Sequence, residues 1–301
     1  MTKILVLVLT VLIASMRAEE QSIQPYIIIG ESGKSISGTE DDIVESFFMK
    51  NIDILGKYHP AGDKNRLVLV VSNGDLIRAV QKGKPSAGFL AAIRIAITRE
   101  DDMTYVSCQN PEYWGNVYFQ EDYLAVRKHI LKFREKLFRA MPKMRGRFNW
   151  QFGCEKGCTP EKMRHYRYMF GMPYFEDMVE LAEFDSYADA VATVENNFSQ
   201  SEFCTKVFEK EIPGKNVKLY GVGLGGDRGE GRFISILDVA DIKHPAFLPY
   251  EMLVIENKVY MLSGRFRIPV SFPDMTLRTF MKLLPTFRNI EEMMKSLTMD
   301  L

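Results

Sequence analysis

The sequence predicts an α+β fold: a tandem duplication of a small, mainly antiparallel sheet with helices packed on one face. Three observations carry this. Phe89-Leu90 leads into Ile93-Arg94-Ile95-Ala96-Ile97, a polar break at Glu100–Asp102, and Thr104-Tyr105-Val106-Ser107. Phe247-Leu248 leads in the same way into Met252-Leu253-Val254-Ile255, a break at Glu256–Lys258, and Val259-Tyr260-Met261-Leu262. An apolar run, a charged turn and a second run make a β-hairpin. Each hairpin is also preceded by a helix-then-strand pattern, so the order strand, helix, strand, short helical piece, hairpin, closing helix recurs. Strands flanked by helices in this order form layered α+β domains.

The elements follow in chain order. Tyr26–Ile29 reads as a strand ended by Gly30-Glu31-Ser32-Gly33. Thr39 with Asp42 three residues on has capping-box spacing, and Ile43, Phe47, Ile52 and Leu55 extend a helical stripe. Leu67–Val71 is a buried strand, and Asn73-Gly74 precedes a short helix over 75–80. Gln109–Tyr118 reads as a loop that leads to a helix across Glu121–Ala140. Pro142 ends that helix. Thr159-Pro160-Glu161 starts another with an N-cap, a proline and an early acid, running to about Phe170. Met178–Phe184 is a strand. Ser186 and Asp189 cap the next helix, Lys215–Tyr220 parallels Lys64–Leu69, and Ile234–Val239 precedes the second hairpin. Phe266, Ile268, Val270 and Phe272 alternate, which predicts a further strand, at an edge because of Pro269. Two closing helices are expected, over Met275–Leu284 and with Asn289 and Glu292 as a capping pair.

The chain has 301 residues, enough for two domains. Lys3 followed by the apolar run Ile4–Ala14 reads as a secretory signal, too short to span a bilayer. The expected organisation is a signal peptide over 1–18, a first repeat over 19–141, a connector with a short helix over 142–174, and a second repeat over 175–301. The product would be periplasmic or secreted, or anchored if the signal stays uncleaved, with no transmembrane segment after it. The formal net charge is zero, which gives no field for nucleic acid. Cys108, Cys154, Cys158 and Cys204 are an even set, and in an oxidising compartment they suggest two disulfides, with Cys154–Cys158 the easiest pair.

Both halves resemble the small α+β domain catalogued as "domain of unknown function 302". The resemblance rests on Phe89-Leu90 to Ile97, on Tyr105-Val106-Ser107 with Asn110-Pro111 after it, and on the helix-then-strand unit before each hairpin. It covers most of both halves and none of the connector. In the second half Gly264-Arg265-Phe266-Arg267 replaces Asn110-Pro111. The resemblance implies a fold and brings no catalytic residues.

No catalytic constellation stands out. Gly221-Val222-Gly223-Leu224-Gly225-Gly226 matches the dinucleotide fingerprint, but Asp227–Gly231 is a poor helix start after it, so it reads as a glycine loop. Gly33-Lys34-Ser35 lacks the first glycine of a P-loop. Asn197-Phe198-Ser199 fits a glycosylation acceptor. His59 and His244 each precede proline and read as turn residues. Arg127–Arg147 holds nine Lys or Arg and one acid, Glu135. That stripe can contact an anionic surface, although pairing with Glu176, Asp177, Glu180, Glu183 and Asp185 is the simpler expectation. Asn110, Tyr113, Trp114 and Tyr118 could line the mouth of a pocket or form a packed lid. Cys154-Glu155-Lys156-Gly157-Cys158 lies directly before a helix start, where the dipole, Lys156 and Lys162 would favour a thiolate. With His165 and Met169 it offers soft donors suited to copper. It looks like the copper-binding loop of Sco-type chaperones, without their thioredoxin-like βαβ setting.

These readings give two expectations. One is an extracytoplasmic binding or accessory protein for a small molecule or a protein partner, with no evident catalytic site and no cofactor. The alternative is a thiol-redox or copper-handling protein using the Cys154/Cys158 pair.

Overall fold

The structure is a computed structural model and describes residues 22–146, 149–155, 157–240 and 242–299. The expected signal peptide therefore lies wholly outside the described residues. No helix among those described is long and apolar enough to cross a membrane.

Two antiparallel sheets dominate. The first contains β1 (Tyr26–Ser32), β2 (Asp53–Tyr58), β3 (Arg66–Ser72), β4 (Ile93–Glu100), β5 (Met103–Gln109) and β6 (Trp150–Phe152), in the order β2-β3-β4-β5-β1-β6. The second contains β7 (Val179–Glu183), β8 (Cys204–Glu211), β9 (Val217–Leu224), β10 (Tyr250–Ile255) and β11 (Lys258–Met261), in the order β7-β11-β10-β9-β8. Apart from β6, the second order is the first with each strand replaced by its counterpart. The two hairpins are β4–β5 and β10–β11, and the first loop residue of each, Asp101 and Glu256, has a φ of 50°.

The helices occupy matching places. α1 (Ile36–Lys50) and α2 (Gly74–Lys82) correspond to α6 (Tyr187–Gln200) and α7 (Glu230–Leu237). α3 (Pro111–Phe119) and α4 (Tyr123–Ala140) follow the first hairpin. α8 (Gly264–Ser271), α9 (Leu277–Lys282) and α10 (Leu284–Ser296) follow the second, and α5 (Pro160–Arg164) lies in the connector. Side-chain alternation divides each sheet into two faces. Tyr220, Val222, Met252 and Val254 join the core under the second repeat's own helices, while Val217, Leu219 and Leu253 join the first repeat's core. The halves thus pack through the sheet faces that their own helices leave open. A Cβ on Gly88, in the turn before β4, would come within 2.8 Å of Leu253. One on Gly56 in β2 would meet the Val207 carbonyl oxygen of β8 at 2.1 Å, so glycine is what allows these two edge strands to touch.

Several local expectations are corrected. Gln109–Tyr118 is not a loop: Asn110 caps α3 by accepting from Glu112 N–H, and Pro111 sits in its first turn. Phe266–Phe272 is not a strand: Phe266–Ser271 belong to α8 and are all buried, so their even spacing carries no sheet periodicity. α1 is capped by Ser35, because Thr39 is buried within the helix, and it ends at Lys50. Ile52 and Leu55 belong to the approach to β2 and to β2 itself. Asn289 lies inside the continuous helix α10. α5 stops at Arg164, well short of Phe170.

Candidate functional site

The connector does more than join the repeats. β6 pairs with β1, placing Phe152 opposite Tyr26 and Trp150 opposite Ile28. This extends the first sheet toward the second repeat and leaves a cleft of about 850 Å³. One wall is Trp150–Glu155. The other is formed by the end of α7, by Val239, Ala240 and Ile242 after it, and by residues between Phe272 and Thr279. The walls are largely apolar. Trp150 is 42% exposed and Val239 is 70% exposed, although both are large hydrophobic side chains.

His244 lies on the floor. Its ring is 5.0 Å from Tyr26, 5.7 Å from Phe152 and 4.9 Å from Phe272. Nδ1 is 3.2 Å from Asp238 Oδ1, and the same oxygen accepts from His244 N–H at 2.9 Å. Burial pushes the imidazole pKa below its ordinary value, against the pull of Asp238. The ring is therefore neutral at pH 7, with Nδ1 turned to Asp238. Asp238 is also held by Arg66 at 3.0 Å. At the cleft edge Asp274 Oδ2 accepts from Glu155 N–H at 2.5 Å and ties the two walls together.

Cys154 forms part of the connector wall, and its Sγ lies 3.1 Å from Cys158 Sγ. A turn brings them together: Gly157 N–H donates to Cys154 O at 3.1 Å, with Gly157 at φ 64°. The main chain of Cys158 exchanges hydrogen bonds with Ile23, and Gln24 Oε1 accepts from Cys154 N–H. A Cβ on Gly157 would sit 1.8 Å from Ser22 Oγ. Gly157→Ala is expected to cost about 1–2 kcal/mol from the left-handed backbone alone, read as a lower midpoint in urea, and to slow formation of a Cys154–Cys158 disulfide.

The two sulfurs share a proton unequally. The hydrogen bond from Cys154 lowers the Cys158 pKa, helped by Lys162 and opposed by burial. The same hydrogen bond, with burial, holds the proton on Cys154. The helix after Cys158 has only five residues, so its dipole adds little, and Lys156 lies outside the described residues. All four cysteines are free and buried; Cys108 and Cys204 lie in different cores, pushed up to about 12 and about 11 by burial.

The other anticipated site residues lie elsewhere. Tyr113 and Trp114 are wholly buried and Tyr118 nearly so. Tyr113 donates to Val270 O of α8 and Trp114 Nε1 to Pro25 O, so these rings lock α3 into the core. Asn110 Nδ2 donates to Gln24 O before β1 and to Gln151 Oε1 of the connector. His165 is exposed and faces Glu121 at 3.0 Å, and Met169 closes a turn with Met172. Part of the basic stripe is matched, by acids other than the 176–185 set. Lys132, Lys136 and Arg78 converge on Asp75, whose carboxyl is held down at about 2 against the opposing effect of burial. Glu180 and Glu183 pair instead with Lys258. The Asn197 side chain is buried and donates to Met299 O.

A second polar centre, missed in the sequence, lies where the repeats meet. Glu251 of β10 accepts from Arg94 Nη2 of β4 and, at 2.9 Å, from Arg267 Nε of α8. Arg267 also donates to Ser271 Oγ and to Phe247 O. All three charged side chains are 1% exposed. The available signal was a single charge inside each of three apolar runs, Ile93-Arg94-Ile95, Tyr250-Glu251-Met252 and Phe266-Arg267-Ile268.

No family model matches the chain, and no curated protein matches it.

Proposed function

We propose that the chain is an extracytoplasmic binding protein that holds a small, mainly apolar ligand in the cleft between the connector and the second repeat. The observation that carries this is the cleft's composition. Trp150 and Val239 leave apolar surface in solvent above a floor of Phe152, His244 and Phe272. A volume of 850 Å³ lies in the range that holds a drug-sized or cofactor-sized molecule. A neutral imidazole with Nδ1 engaged offers Nε2 as an acceptor, so a ligand with an apolar body and one donor group fits best.

Val239 tests the reading, because its exposure lets a charge be introduced without touching the core. An apolar fluorescent probe, anilinonaphthalene sulfonate, is expected to bind saturably and to alter Trp150 emission. Val239→Asp is expected to weaken that binding at least about tenfold, or 1.4 kcal/mol, with an unchanged melting temperature. Equal probe affinity in the two proteins would reject the cleft as the site.

The 3.1 Å approach of Cys154 and Cys158 favours a second reading, thiol-redox or copper-handling chemistry at that pair. It draws on residues at the edge of the same cleft and does not require an organic ligand there.

A further inference from the structure

We propose that Cys154 and Cys158 form a thiol–disulfide exchange site for a small disulfide entering through the cleft, with Cys154 as the attacking sulfur and Cys158 as the resolving one. This rests on the second reading above and names its substrate class. Both sulfurs already lie 3.1 Å apart, so closing to a bond needs a shift of about one ångström. The turn is pre-set by Gly157, and the backbones of both cysteines are pinned to the segment that leads into β1. Both cysteines are nearly fully buried, but Cys154 lines the cleft and Cys158 does not, so a molecule entering there meets Cys154 first.

The chemistry follows from the shared proton. Cys158 carries the thiolate character and accepts the Cys154 proton as Cys154 Sγ attacks one sulfur of the disulfide. The sulfur–sulfur bond of the substrate breaks, and one half leaves as a thiolate. That thiolate takes the proton from Cys158. Cys158 Sγ then attacks Cys154 Sγ in the mixed disulfide, and the second half leaves as a thiolate. Two electrons pass from the protein dithiol to the substrate, which becomes two thiols, and a Cys154–Cys158 disulfide remains. Cys108 and Cys204 lie in different cores and neither lines the cleft, which sets them apart from this chemistry.

The reduced full chain is incubated with oxidised glutathione and followed by intact mass and peptide mapping. The expected product is a Cys154–Cys158 bridge, with Cys108 and Cys204 still reduced. Cys158→Ser is expected to stop at a glutathione adduct on Cys154, and Cys154→Ser to form no adduct. Iodoacetamide on the unaltered protein needs no variant and is expected to modify the Cys154/Cys158 pair roughly tenfold or more faster than Cys108 or Cys204. An adduct on Cys158 in Cys154→Ser would overturn the assignment of roles. A bridge formed with hydrogen peroxide but not with glutathione would overturn the substrate class and leave the second reading standing. No bridge with either oxidant would overturn both.

Discussion

Glu251→Gln is expected to destabilise the protein by about 3–5 kcal/mol, the range for breaking a buried ion pair from one side. Glu251 is the single carboxylate between two guanidiniums that are equally shielded from water, Arg94 and Arg267. Removing its charge leaves both cations buried without compensation. The neighbouring phenols cannot take over, because burial raises the pKa values of Tyr26, Tyr118 and Tyr250 and keeps them neutral. Arg94 comes from the first repeat, and Glu251 and Arg267 from the second, so the loss falls on the contact between halves. Urea unfolding followed by circular dichroism measures it. The unfolding transition should also broaden or split, as the repeats lose the contact that makes them unfold together. A loss under 1 kcal/mol with a single sharp transition would show that the cluster does not hold the halves together.

The legible parts of the fold are those where one local signal and the tertiary environment agree. β4–β5 and β10–β11 are apolar runs buried in a sheet and interrupted by charged turns, so pattern and burial coincide. Ser186 and Thr159 cap helices as their side chains allow. The misread parts are those where burial erased the pattern. Every residue of α8 from Phe266 to Ser271 is buried, so its alternating hydrophobics carry no information about period, and Pro269 is accommodated inside a short helix. α3 looks like a loop because it carries Asn, Pro and Gly. In the fold these serve as cap, first-turn residue and close contact with Tyr123. The edge strands β2 and β8 escaped notice because each is bulged, at Ile54/Gly56 and at Lys206/Phe208, and many of their side chains reach solvent. Of the candidate site, Cys154 and Cys158 were readable from spacing. The cleft around them was not, since its walls come from three separated stretches that β6 brings together.

Glu230 should make stability fall as pH rises through neutrality, in the opposite sense to an ordinary acidic side chain. It sits at the start of α7 with its carboxylate buried, accepting from Tyr58 Oη at 3.1 Å, Ala61 N–H at 3.0 Å and Leu224 N–H at 3.3 Å. It therefore links the end of β2 in the first repeat to β9 in the second. Burial raises its pKa from 4.5 to about 7, outweighing the donors that favour the charged form. Below its unfolded pKa the group is protonated in both states, and its full contribution is present. As pH rises, the unfolded chain releases the proton first and the folded state is left holding it. That contribution is lost progressively as pH rises through about 7, and it amounts to about 3 kcal/mol. His244 acts in the other direction at lower pH. Its depressed pKa contributes stability that is lost as pH falls below the unfolded value of 6.5. Comparison with Glu230→Gln isolates the carboxyl, because the histidine is common to both proteins. Measured by urea unfolding, the variant should gain about 2.5 kcal/mol on the wild type between pH 5 and pH 8. A constant difference across that range would mean that the three donors keep Glu230 ionised throughout. Its link between the repeats would then be an ordinary, pH-insensitive buried carboxylate.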